Sequence, residues 1–200
     1  MTTKRIERLW KLLEGPEGIA IAITGQWGVG KTYFWNEYLK YHRAQHKQQS
    51  KQKQEYAYVS VFGIETLGDL KAAIVEQLVG EIPDKENAIS GFFKITKRLL
   101  NESKNLNLKG LNIGGNLLFS ICFSQISNAL ICIDDLERKS DKLDIKDILG
   151  LVNLLKNQRN CKVVVIINDE KDQDQVFKNY KEKVFDEYFI IKDIVEALES

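Results

Sequence analysis

The run IAIAIT at 19–24 leads directly into GQWGVGKT at 25–32, and no other stretch constrains the fold as much. A short apolar run, set off by GPEG at 15–18, reads as a strand buried on both faces. The eight residues after it satisfy G-x-x-x-x-G-K-[ST] at every fixed position, from Gly25 through Gly30 and Lys31 to Thr32. A loop that wraps a polyphosphate must point successive backbone N–H groups inward, which needs conformations that favour glycine. The following helix adds free N–H groups and its positive end. Lys31 then supplies an ammonium for the β- and γ-phosphates, and the Thr32 hydroxyl takes a position on Mg2+. The expected nucleotide contacts are Gly25, Gln26, Trp27, Gly28, Val29, Gly30, Lys31, Thr32 and Tyr33. The Trp27 indole is expected to pack on a neighbouring surface, the N-terminal helix or a partner domain, with no chemistry of its own.

Around this unit the chain alternates strands and helices. Ile6, Leu9, Trp10, Leu12 and Leu13 have helical spacing, and a helix should start near Lys31 and run past Tyr41. The basic, glutamine-rich stretch at 40–54 reads as that helix fraying into a solvated loop. YAYVSVFG at 56–63, ALICID at 129–134 and KVVVIIN at 162–168 read as strands, with a last strand around 188–191. Helices are predicted over 67–80, 144–158 and 171–184, with helical pieces around 88–102 and 116–127. This order implies an α/β three-layer sandwich with a mostly parallel central sheet. Ligands in such sheets bind beyond the carboxyl ends of the strands.

Two further strand ends therefore carry the candidate chemistry. ALICIDD ends in Asp134 and Asp135, and an acid at the tip of a buried strand needs a cation or hydrogen bonds to offset its desolvation. Asp134 is assigned to the Mg2+ shell through water, and Asp135 to the base that orients the attacking water, with Glu137 as its substitute. Arg138 either contacts a phosphate or anchors Asp135. Asn168 follows KVVVII and either senses the γ-phosphate or caps the next helix.

Composition excludes some classes. A net charge of +1 gives bulk charge no pull toward nucleic acid or membrane. Cys122, Cys132 and Cys161 are odd in number and widely spaced, which argues for buried thiols in a reducing cytosol. The N-terminus lacks the apolar core of a signal peptide, so a cytoplasmic protein is expected. LLFSICFSQISNALICI at 117–133 is too short and too polar for a bilayer span. His42 and His46 stand i, i+4 on a predicted helix, but no third metal ligand is legible and a solvated face is expected. The basic stretch from Lys40 to Lys53 could touch the phosphate backbone of a nucleic acid, but a solvated stretch is the expectation.

With these segments in hand, the chain resembles the KAP-type P-loop NTPases. The resembling residues are GQWGVGKT with tryptophan before the middle glycine, DDLER at 134–138, and the strand VVVIIND. The resemblance implies an additional-strand ATPase core related to AAA+ and STAND proteins, with ATP and Mg2+ as ligands. It also implies that residues 84–128 form an insertion between the two motifs of a domain covering 1–200. Bacterial members are frequent in anti-phage defence. AAA+ proteins place an arginine finger before the last core strand, where this chain has only lysines, which leaves Arg138 and Arg159 as candidates acting in trans. No helical lid follows the last strand, so the chain is expected to be the N-terminal part of a longer protein that assembles through regions beyond Ser200. Hydrolysis coupled to conformational change or assembly leads, with a slow STAND-like scaffold and a small-molecule kinase as alternatives. No N-K-x-D segment appears, which disfavours GTP.

Overall fold

The computed structural model describes residues 4–49, 54–80, 120, 122–168 and 182–193. Its elements are α1 (Lys4–Leu13), β1 (Ile19–Thr24), α2 (Lys31–Gln48), β2 (Tyr56–Ser60), α3 (Leu67–Gly80), β3 (Leu130–Asp134), a 3-10 turn (Leu136–Arg138), α4 (Ile145–Arg159), β4 (Lys162–Ile167) and β5 (Glu187–Ile190). The five strands form one sheet in the order β2-β3-β4-β1-β5. Every pairing is parallel. The apolar run at 162–167 thus lies between the phosphate-loop strand and the acid-bearing strand.

Alternation sorts the side chains into two layers. Ile21, Ile23, Leu130, Cys132, Val164 and Ile166 pack against Leu9 and Leu13 of α1 and Phe34, Trp35 and Tyr38 of α2. Ala20, Ala22, Val59, Ile131, Ile133, Val163 and Val165 face Leu70 and Ile74 of α3 and Ile148, Val152 and Leu155 of α4. Strands covered on both faces can be apolar throughout, which is why β3 and β4 read as continuous runs. The α4 boundaries have local causes. Asp144 caps its first turn by accepting from Lys146 N at 2.9 Å, and Asn160 ends it in a left-handed conformation at φ 52°.

Several expectations meet particular outcomes. The stretch after Lys40 does not fray: α2 stays helical to Gln48, because His42 is buried and His46 accepts or donates a 2.7 Å hydrogen bond with Glu14. The solvated face expected for the two histidines is therefore a packed one. Residues 81–119 lie outside the described residues, as does most of the expected 84–128 insertion, while 120 and 122–125 are helical. The helix expected over 171–184 is described only at 182–184, where it is helical. Among the described residues no helix is long and apolar enough to cross a membrane.

Register fixes which side chains meet. Thr24 pairs with Ile167, and Ser60 with Asp134, so the carboxyl ends of β1, β4, β3 and β2 share one edge.

Candidate functional site

The loop between β1 and α2 takes its shape from glycine. Gly25 has φ +147°, and a Cβ there would overlap the Ile191 carbonyl oxygen and sit 3.1 Å from its carbon. Ile191 N donates to Thr24 O at 2.7 Å, which wedges the start of the loop beneath the end of β5. Gly28 has φ +81°, and no atom lies within 4 Å of a Cβ built on it. One glycine is demanded by a neighbour and the other only by conformation, so the loop is packed at its root and open at its crown. Open space over a loop whose glycines take positive φ is the form an anion cradle takes. The Lys31 ammonium donates to Gly25 O at 2.8 Å and Gln26 O at 2.9 Å, so the loop's own carbonyls hold it in the cradle.

The acid strand meets this loop directly. Thr32 Oγ1 donates to Asp134 Oδ2 at 3.0 Å, and the Tyr58 hydroxyl donates to the same oxygen at 2.7 Å. Asp135 N donates to Asp134 Oδ1 at 2.7 Å. Burial pushes the Asp134 carboxyl above its usual pKa, and the hydrogen bonds from Tyr58, the Asp135 backbone and Thr32 oppose this. Burial and then Asp134 push the Tyr58 hydroxyl upward, which keeps it a donor. A hydroxyl and a carboxylate oxygen 3.0 Å apart match adjacent vertices around a small octahedral cation, whose bonds are about 2.0–2.1 Å.

After β3 the chain turns sharply. Asp135 sits at φ 59°, the left-handed region, which carries its side chain toward β2 rather than onward along the strand. Its Oδ2 accepts from Ser60 Oγ at 2.6 Å, and its Oδ1 lies 3.7 Å from Arg138. The Arg138 guanidinium stands 4.0 Å over the Phe62 ring. Glu137 Oε2 accepts from Asn168 N at 3.1 Å and so ties the turn to the tip of β4. Lys31, Thr32, Asp134, Asp135, Glu137 and Asn168 thus converge at one end of the sheet.

Other expected residues lie elsewhere or behave differently. Trp27 is 73% exposed, so its indole is not packed away against α1. Tyr33 is half exposed at the start of α2. Arg159 lies at the opposite end of the sheet, where its guanidinium donates to Ser124 O. Tyr58 and Ser60 are site residues that the sequence reading did not single out. Their signal is the alternation of Tyr58 and Ser60 with Ala57 and Val59, but it gains meaning only once β2 lies beside β3.

A family model described as the KAP family P-loop domain matches residues 3–105, more than half of the chain. No curated protein matches it. Among solved structures, the chain is similar to the ORC2 protein of Aeropyrum pernix in its ADPNP–ADP complexes. That match has a TM-score of 0.54 at 15% identity, over 94% of this chain and 46% of that one. It is also similar to Drosophila ORC bound to DNA, with a TM-score of 0.52 at 15% identity, over 96% of this chain and 42% of that one. The chain therefore spans less than half the length of either, and identities this low speak to the fold alone. By the model match and the parallel sheet with its phosphate loop, the chain belongs to the KAP family of P-loop domains.

Proposed function

We propose that the chain binds Mg·ATP at the carboxyl end of its sheet and hydrolyses it slowly, with the nucleotide state driving a conformational change or assembly. The observation that carries this reading is the contact between Thr32 and Asp134, which joins the phosphate loop to the acid strand through a donor set suited to a hard cation. Gly25 to Gly30 would cradle the phosphates, with Tyr33 close by at the helix start. Lys31 would leave its two carbonyl partners for the β- and γ-phosphates. Thr32 and Asp134 would hold Mg2+, Asp134 directly or through one water. When bound, the ion would neutralise charge developing on the transferred phosphoryl group. The ORC2 protein was solved with adenine nucleotides, and adenine is the base proposed here.

Slow turnover rests on the two candidate bases. Asp135 is held by Ser60 and Arg138, and Glu137 by the Asn168 backbone. Each carboxylate keeps acceptor sites for water, but these partners limit how far it can swing toward a nucleophile. Asn168, buried at the tip of β4, is proposed to read the γ-phosphate. Anti-phage defence is the biological setting proposed from the family.

The test is phosphate release from Mg·ATP with no acceptor added, measured under single turnover. Release that is lost in Lys31→Ala and sensitive to protein concentration supports the reading. Transfer only to an added acceptor would assign a kinase instead, and no binding of Mg·ATP in calorimetry would overturn the proposal.

A further inference from the structure

We propose that Glu14, His42 and His46 form a binding site for a divalent transition cation of the zinc class, at the end of the sheet opposite the nucleotide loop. The three residues come from two elements. Glu14 follows the last turn of α1, and the histidines stand one turn apart near the end of α2. One ligating atom from each lies within 4.8 Å of the others. Glu14 Oε1 is 2.7 Å from His46 Nε2 and 3.6 Å from His42 Nε2. Ligands bonded to a tetrahedral zinc at about 2.0–2.1 Å stand roughly 3.3 Å apart. The two observed spacings bracket that value, so a rotamer adjustment suffices.

Hydrogen bonding within the cluster is incomplete. His42 is 8% exposed, and its Nε2 has no hydrogen-bond partner. A buried polar atom left unpaired is costly, and a metal ion is one way to satisfy it.

Two imidazoles and one carboxylate suit zinc rather than magnesium or calcium, which prefer all-oxygen shells. Glu14 and His46 also line a cavity of about 520 Å3 with Gln54, Glu55 and Asn128, which gives water access to a fourth coordination position. The histidines lie 11 and 15 residues beyond Lys31 on α2, roughly 16–23 Å along its axis at about 1.5 Å per residue. The site is therefore distinct from the one that holds nucleotide. A bound ion would pin the end of α1 to the end of α2.

The test titrates chelator-stripped full chain with Zn2+ against a chromogenic chelator, and separately with Co2+. The expected result is one Zn2+ per chain, a rise in thermal midpoint with Zn2+, and visible d–d bands of low-coordinate Co2+. Losing an outer partner of a zinc ligand costs about 10–100-fold in affinity, so His42→Ala or His46→Ala should cost at least about 100-fold. Glu14→Gln, nearly isosteric, should weaken binding while circular dichroism stays unchanged. Mg·ATP affinity should stay constant in all three. Substoichiometric Zn2+, unchanged affinity in folded variants, or a thiolate-to-cobalt charge-transfer band would overturn the proposal. The cobalt spectrum of the unmutated chain decides even if a variant fails to fold.

Discussion

The contrast between Gly25 and Gly28 gives a quantitative test of how the phosphate loop is built. Replacing Gly25 by alanine meets two costs. A φ of +147° is one that L side chains rarely adopt, and residues forced into such regions lose about 1–3 kcal/mol. The new methyl also overlaps the Ile191 carbonyl, whose own N–H is bonded to Thr24 O, so neither side can yield cheaply. Overpacking of this kind adds about 1–3 kcal/mol. The sum, roughly 2–6 kcal/mol, is a large part of the 5–15 kcal/mol by which domains are usually stable, as an order-of-magnitude figure. Gly28→Ala carries only the conformational cost, about 1–2 kcal/mol, because no atom lies within 4 Å of its Cβ. At roughly 2–4 °C per kcal/mol for a chain of this size, the Gly25 variant should melt roughly 4–24 °C lower and the Gly28 variant roughly 2–8 °C lower. Thermal unfolding followed by circular dichroism, without nucleotide, reads both. The order should reverse for function relative to stability: Gly28→Ala places a methyl in the open crown and should weaken Mg·ATP binding out of proportion to its small loss of stability. If the two variants melt within about 1 °C of each other, the wedge under β5 is not what requires Gly25, and the packing argument fails.

Four further outcomes follow from the site. Lys31→Ala should abolish Mg·ATP binding or weaken it by more than about 100-fold in calorimetry, since a charge-assisted contact to phosphate is lost. Asp134→Asn should raise the thermal midpoint of the nucleotide-free protein near neutral pH while Mg-dependent binding disappears. The sign follows from a folded-state pKa raised above the unfolded one: protonated Asp134 favours folding at low pH, and that contribution is lost as pH rises through the folded pKa. The variant's advantage should accordingly shrink as pH falls, in paired melting curves. Tyr58→Phe removes a hydrogen bond that lowers the Asp134 pKa, so the acid limb of Mg·ATP binding should move to higher pH, as read from affinity against pH. Asp135→Asn should spare binding and stop phosphate release; persistence of release, with loss in Glu137→Gln, would move the base to Glu137.

Much of this arrangement is legible in the residues alone. IAIAIT, LICID and KVVVII announce themselves because strands covered on both faces need no polar alternation. The phosphate loop is legible because its glycines, lysine and threonine each meet a separate chemical demand. What stayed hidden depends on distance along the chain. Ser60 and Tyr58 reach the two aspartates only because β2 lies beside β3, seventy-odd residues away, and local periodicity carries no information about such pairing. The histidine pair reads as solvated in the sequence because Glu14, which lies against both rings, follows the end of a different helix. A tryptophan in a loop has no periodicity from which to read burial; of the two surfaces expected for Trp27, α1 does not cover it in this chain.

The placement of β1 has a consequence for how the chain matures. Its two neighbours are β4 and β5, so Ile19 waits for Lys162 and Thr24 for Ile190. The nearer strand in sequence, β2, pairs with β3 instead. The loop that leads the chain is therefore among the last parts to gain a scaffold during synthesis. A ribosome-bound intermediate that ends before β4 would carry every residue of the phosphate motif and lack the strands that hold it in shape.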